Sequence, residues 1–506
     1  MAGHRTAGDG STVVPMTVSS SPTAGAASAA ASPEPSESPA DLPPTVFLMY
    51  GASGDLGRRL VLPAFFQLAL QGLLPERWTL IGSGRGDAGD SADDAFRAHV
   101  HDALVEFGPH PDEGPWDEFS THLRFAGGGF TADDAGEVPA VLAAAREDLG
   151  DDAQLVHYLA IPPKAFLPTT RAIAEHGLVD GCRIVYEKPY GTSLSTFTEL
   201  DDAVQQVFTE DQVYRIDHFL AFEAVQDVLH ARLANPWLAA LWSREYVAQV
   251  QIDIAETLDV AQRAEFYDAT GAFLDMIVTH LFQIAATVAM EAPADLRPET
   301  VQAARDAAVL RFRPLDPADV VLGRFDGYLD IDGIPADSTT DTLAAVRLWI
   351  DDDRWRDVPF LLRSGKKMAA DEQRITLVLR PAADGPYAHA APAEPAVISF
   401  SLLDGAALDI AVTVRAPGVQ GGPVTGTATL HRTDLPGDPA LPYTHLIHHV
   451  LHGDRSLFTG VDGLRAAWEA VEPIAQDRPQ VQDYAPGSWG PADVDRLAEP
   501  GVWFLR

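Results

Sequence analysis

The sequence predicts an α/β domain followed by an α+β domain. The first is a Rossmann-like, doubly wound parallel sheet; the second is larger, with a mostly antiparallel sheet and helices. Three observations carry this. A short β-prone run, Thr45 to Tyr50, leads straight into the glycine turn GASGDLG and an apolar-periodic stretch. Strand and helix signals then alternate as far as His218. Beyond that point, β-like segments follow one another without regular helices between them, which favours antiparallel pairing.

Taken in order, residues 1 to 42 are rich in Ala, Ser, Pro and Gly, with no Leu, Ile or aromatic residue before Leu42, and read as a disordered tail. Residues 43 to 218 form the dinucleotide-binding domain. After the first strand and its helix, a second strand is expected at Trp78 to Arg85, then acidic, loop-rich sequence to about Gly136. A helix over VPAVLAAAREDL, a strand over LVHYLAI, a helix over KAFLPTTRAIAEHGL and a strand over CRIVYE complete the alternation. Residues 219 to 506 are expected to form the second, α+β domain. Helices are expected at Glu223 to Asn235, Gly271 to Met290 and Gly463 to Ile474. Strands are expected near Val247 to Ile254, Thr342 to Ile350, Phe360 to Leu362, Arg374 to Leu379, Ala396 to Leu402 and Leu408 to Val414.

Composition limits the partners. The 506 residues carry a formal net charge of −37, which argues against nucleic acid and anionic membrane surfaces, since both select a basic field. Cys182 is the single cysteine, so no intrachain disulfide exists and a reducing, cytoplasmic setting is expected. No apolar run reaches membrane-spanning length, and no secretory signal or metal-ligand pattern is evident.

Five features carry chemistry. Gly51, Gly54 and Gly57 follow a strand and open a helix, where backbone N–H groups can approach a pyrophosphate; an ordinary βα turn is the alternative. Arg85 closes the second strand, where an arginine suits a 2′-phosphate and hence NADP, with NAD the second choice. EKPYG places Glu187 and Lys188 after a strand, at the sheet end that faces the ligand crevice. RIDHFL sets Asp217 beside His218. The apolar helix around His280 carries a polar stripe of Asp275, Thr279, His280 and Gln283, within roughly 140° at 100° per residue. Such a stripe suits the wall of a cleft, though a hydrogen-bonded core histidine fits as well.

Together these segments resemble the glucose-6-phosphate dehydrogenase family. Its GxxGDL turn, EKPFG, RIDHYLGKE and aspartate-xxxx-histidine helix read here as GASGDLG, EKPYG, RIDHFLAFE and DMIVTH. NPWLAALWSREYV, RSGK and YAPGSWGPADVDRL match further along, and the resemblance spans the chain beyond the tail. It implies oxidation of C1 of glucose 6-phosphate to the lactone with hydride transfer to NADP. By the same resemblance His280 is the general base, Asp217 orients it, and Lys188 contacts sugar and cofactor. Glu256, Asp275 and Glu187 meet the sugar, and His218 and Lys366 meet its phosphate. Gly51, Ser53, Gly54, Asp55, Leu56 and Arg85 meet the cofactor. A homodimer or homotetramer is implied.

The departures sit at the phosphate end. Phe219 stands where the family has a phosphate-binding tyrosine, Phe222 where it has the lysine of GKE, and Leu60 where a further lysine follows the glycine turn. Thr279 replaces the usual asparagine before the histidine. Two alternatives therefore stay open: the same chemistry on an unphosphorylated or differently substituted hexose, and a non-catalytic nucleotide-binding regulator.

Overall fold

The structure is a computed structural model, and it describes residues 39–86, 90–382, 395–403 and 407–506. Residues 1–38 of the expected tail lie outside these. Within them Pro39–Asp41 form a helical turn, and Leu42 is already buried.

Six of the seven strands of the first sheet are parallel: β1 (Thr45–Tyr50), β2 (Trp78–Ser83), β3 (Leu123–Ala126), β4 (Gln154–Leu159), β5 (Arg183–Tyr186) and β6 (Val213–Ile216). Their spatial order is β6-β5-β4-β1-β2-β3. The direction of winding reverses between β1 and β4, which opens a crevice at the carboxyl ends of those strands. Every side chain of β1 is buried, as expected of a strand covered by helices on both faces.

The stretch expected as acidic loop before Gly136 is instead ordered. It forms helices Asp90–Phe107 and Glu113–Ser120, followed by β3. Its many acids face solvent, while Phe96, Val100, Ala103 and Leu104 recur at helical spacing and pack into the core. High acid content masked a thin apolar stripe.

The second sheet is built from β7 (Val247–Ala255), β8 (Val320–Phe325), β9 (Leu343–Leu348), β10 (Phe360–Gly365), β11 (Glu372–Leu379), β12 (Val397–Ser401), β13 (Ala407–Arg415) and β14 (Pro423–His431). After these come β15 (Phe458–Thr459) and β16 (Val481–Tyr484). The second sheet runs β14-β13-β12-β11-β7-β10-β9-β8-β16. Its pairs are antiparallel except β7 with β10 and β8 with β16. β15 leaves this sheet altogether and pairs antiparallel with β6, Phe458 opposite Ile216.

The helical segment Tyr267–Ala289 is long and apolar enough to cross a membrane, but 83% of its most apolar window is buried inside the fold. It is the core helix between the two domains. Gly271 breaks its regular winding at φ +68°, and Phe273–Leu281 continue as a π-helix. One apolar core runs from the face of the first sheet, across this helix, to the second sheet.

Candidate active site

The glycine turn lies at the carboxyl end of β1, in the crevice. Gly51 has φ +78°, and a Cβ there would stand 2.4 Å from the carbonyl oxygen of Ala160, just past β4. Only glycine lets the turn sit this close to the neighbouring strand's end. Ser53 and Asp55 are exposed at the tip, with Gly54 half-buried between them. Asp55 pairs with Arg59 at 3.9 Å, and Leu56 packs against the core, so each offers a ligand its backbone rather than its side chain. Arg85 is exposed beyond β2, beside Gly129, and makes no ion pair among the described residues. A turn with an exposed tip, a helix start and a free cation fits a dinucleotide carrying an extra phosphate.

The catalytic candidates converge from three elements. Asp217 follows β6, where its Oδ1 accepts the Phe219 backbone N–H at 3.1 Å and caps the turn His218–Ala221. The same oxygen is 2.6 Å from Nδ1 of His280. On the other side of the imidazole, Nε2 is 2.9 Å from Nζ of Lys188, which follows β5. That ammonium also donates to Asp275 Oδ1 at 2.9 Å and to the Asp275 carbonyl at 2.7 Å.

The π-helix explains how Asp275 and His280 share one lysine. At 100° per residue, side chains five positions apart would diverge by about 140°. A ladder of i→i+5 bonds widens the turn and brings them to one side. Thr279 Oγ1 donates to the Asp275 carbonyl at 2.7 Å, so this oxygen serves two side-chain donors. Gln283, expected on the same wet stripe, is fully buried, and its side-chain amide makes no hydrogen bond to the cluster.

The electrostatics fix the resting protonation. Burial pushes His280 below its ordinary value and Lys188 adds to this, against the upward pull of Asp217. Burial would raise Asp217, but His280, His218 and Lys188 outweigh it and keep the carboxyl ionised. The pair at neutral pH is therefore imidazole and carboxylate, with the Nδ1 proton shared toward Asp217 and the Nε2 lone pair turned to the cleft. Burial and the neighbouring His280 push His218 down to about 3, so it is neutral as well.

Glu256, after β7, and Lys366, after β10, form an ion pair, and Lys366 lies 5.9 Å from the Tyr267 ring centroid. Lys366 also lowers the Asp275 carboxyl, although Lys188 acts on it more strongly. These residues border the Asp217–His280–Lys188 cluster on one side. The other side is aromatic. Phe219 lies 4.3 Å from the His280 ring, His218 lies 4.7 Å from it, and Phe219 and Phe222 are 4.7 Å apart.

One expected sugar contact turns away. The carboxyl of Glu187 is buried against Tyr158 Oη at 2.6 Å and Tyr443 Oη at 3.3 Å, on the side of helix Pro442–His452. Adjacent residues after a strand point to opposite faces, so Lys188 faces the cleft while Glu187 faces the core. Tyr443 itself stacks on His218 at 6.3 Å and escapes sequence reasoning, because its helix lies far along the chain.

Two family models match the chain. The glucose-6-phosphate dehydrogenase NAD binding domain covers residues 48–227, and the glucose-6-phosphate dehydrogenase C-terminal domain covers residues 229–503. The chain belongs to the glucose-6-phosphate dehydrogenase family. Among its relatives, the glucose-6-phosphate 1-dehydrogenase of Gluconobacter oxydans is 34% identical, over 90% of this chain and 96% of the relative. That of Leuconostoc mesenteroides is 31% identical, over 91% and 99%. A solved glucose-6-phosphate dehydrogenase in complex with its substrate glucose-6-phosphate superposes with a TM-score of 0.85 at 27% identity, over 92% of this chain and 99% of that one. The Mycobacterium avium enzyme superposes with a TM-score of 0.81. The family fold agrees with the architecture described above, a Rossmann-like sheet and a mostly antiparallel second domain.

Proposed function

We propose that this protein oxidises C1 of β-D-glucose 6-phosphate to the 6-phosphoglucono-lactone and passes the hydride to NADP. The observation that carries the reading is the line Asp217–His280–Lys188, with a neutral imidazole held at both nitrogens. His280 Nε2 accepts the C1 hydroxyl proton once the sugar hydroxyl takes the position that Lys188 Nζ occupies. Asp217 then stabilises the imidazolium through Nδ1 and keeps the ring oriented. The ammonium of Lys188 stays beside the reacting oxygen and the cofactor. Glu256 and Asp275 grip sugar hydroxyls, and Lys366 and His218 serve the phosphate end.

When bound, the nicotinamide of NADP supplies the hydride acceptor. The turn at Gly51, Ser53, Gly54, Asp55 and Leu56 would hold its pyrophosphate through backbone N–H groups, with Arg85 at the 2′-phosphate. Arg85 gives a preference over NAD rather than an absolute choice. By family likeness the protein acts as a homodimer or homotetramer in the cytoplasm, and its single cysteine, Cys182, is buried and reduced.

A second reading keeps the chemistry and changes the sugar. Phe219 and Phe222 make an apolar wall where the family has a hydroxyl and an ammonium, which favours a hexose without a charged 6-substituent. Steady-state rates with glucose 6-phosphate and free glucose, each with NADP and NAD, test both. A higher kcat/KM for the phosphate ester supports the first reading and removes the second; the reverse order does the opposite. The regulator reading fails if His280→Asn abolishes turnover.

A further inference from the structure

Asp341 lies just before β9 and is fully buried. It meets the core helix at its break. Gly271 leaves helical geometry there, so the N–H groups of Ala272 and Phe273 open a new helical segment and need acceptors from elsewhere. Asp341 supplies both. Its carbonyl accepts the Ala272 N–H at 3.0 Å, and its Oδ2 accepts the Phe273 N–H at 2.8 Å. Its Oδ1 accepts from Arg478, which follows the helix Val461–Gln476. A Cβ at Gly271 would stand 2.7 Å from the same Oδ1, so glycine at φ +68° is what lets the carboxylate reach the break.

This cap stands at the head of the segment that carries Asp275 and His280. Asp275 follows Phe273 closely, and its carbonyl and Oδ1 both hold Lys188. The residue after Asp341, Thr342, reaches the other side of the site. Its carbonyl accepts the Lys366 N–H at 2.9 Å. Tyr484 Oη, 3.1 Å from the Thr342 hydroxyl, donates to the Lys366 carbonyl. Lys366 in turn pairs with Glu256. One buried dipeptide therefore ties down both the helix start before Asp275 and the backbone of Lys366. The side-chain hydrogen bonds of Asp341 reach none of Asp217, His280 and Lys188.

We infer that Asp341 is a positioning residue for sugar binding: it sets Asp275 through the head of the helix, and Lys366 through Thr342. The inference rests on the proposed sugar oxidation, in which Asp275 and Lys366 meet the substrate. It holds for a phosphorylated or a free hexose.

The test is steady-state kinetics of the full-length parent, Asp341→Leu and Asp341→Asn, varying NADP and whichever of glucose 6-phosphate and free glucose the parent oxidises faster. Leucine removes both side-chain acceptors; asparagine keeps one oxygen for the Phe273 N–H. Asp341→Leu should raise KM for the sugar at least about tenfold, as misplacing a binding group does, and leave KM for NADP unchanged. Asp341→Asn should restore most of the sugar KM. A loss of folded protein alone would lower the apparent kcat and leave both KM values where they were. Because a buried aspartate also supports folding, Gly271→Ala is the second variant; it keeps the carboxylate, crowds its Oδ1, and should raise the sugar KM in the same way. Hydrogen exchange over residues 272–281 should be faster in Asp341→Leu than in the parent. The inference is overturned by an unchanged sugar KM in Asp341→Leu and Gly271→Ala, by equal rises in both KM values, or by Asp341→Asn as impaired as Asp341→Leu. A parent that oxidises neither sugar overturns the proposed reaction instead. The exchange rates then decide the positioning alone, and equal rates in parent and Asp341→Leu overturn it.

Discussion

Lys188 Nζ sits 2.9 Å from Nε2 of His280, on the nitrogen opposite the one that faces Asp217. The imidazole is therefore fixed from both sides before any substrate arrives. As the proposed base, an imidazole held this way has one productive tautomer, with the proton on Nδ1 and the lone pair on Nε2. The general acid–base account depends on that tautomer.

Removing the carboxylate should cost turnover without removing binding. Asp217→Asn leaves the ring a neutral partner that can stabilise the wrong tautomer. We expect kcat to fall by roughly 10²–10⁴-fold, the range of general-base contributions, while KM for the sugar changes little. Stopped-time assays at saturating substrate check this, with His280→Asn as the reference for complete loss of the base.

The pH–rate profile should place the acid limb below the ordinary imidazole value of 6.5. Burial and Lys188 lower His280, so the neutral base persists as pH falls, and protonation removes activity only at lower pH. Asp217 pulls the other way. In Asp217→Asn the limb should move further toward acid even though the plateau is lower. A limb at or above 6.5 in the parent protein would contradict this assignment.

Glu187 couples stability to pH. Burial pushes its carboxyl up to about 7 from an ordinary value of 4.5. A raised folded-state pKa means the folded form binds the proton more tightly. That stability is fully present below about pH 4.5 and is lost as pH rises through about 7, a difference of about 3 kcal/mol. Glu187→Gln has no proton to lose. Its Tm should match the parent near pH 5 and exceed it near pH 8.5, measured by thermal unfolding at both values.

At the proposed phosphate end, Phe222→Lys introduces a cation and Phe219→Tyr a hydroxyl. A charged hydrogen bond contributes about 1.5–3 kcal/mol. The double variant should lower KM for glucose 6-phosphate by roughly ten- to a hundredfold, leave kcat nearly unchanged, and leave KM for free glucose where it was. Side-by-side kinetics on the two sugars read this directly.

Local signals were legible where burial and spacing agree. β1 spans the β-prone run before the glycine turn, and the helix Val138–Leu149 covers the expected segment VPAVLAAAREDL residue for residue. Asp217, Lys188, Asp275 and His280 were singled out and do converge. What the sequence hid depends on distance or on unusual winding. The helix Asp90–Phe107 was obscured by its acids. The pairing of Phe458 with Ile216 and the approach of Tyr443 to Glu187 join segments more than 200 residues apart. The π-helix at Phe273–Leu281 altered which polar residues share a face, drawing Asp275 toward His280 and leaving Gln283 in the core.

The most direct test of the central claim is the initial rate of NADPH formation from glucose 6-phosphate by the purified full-length protein and by its His280→Asn variant. The account predicts NADPH production by the parent at millimolar sugar and a loss of at least about 10²-fold in the variant. No reduction of NADP or NAD by the parent, or equal rates in the two proteins, would contradict it.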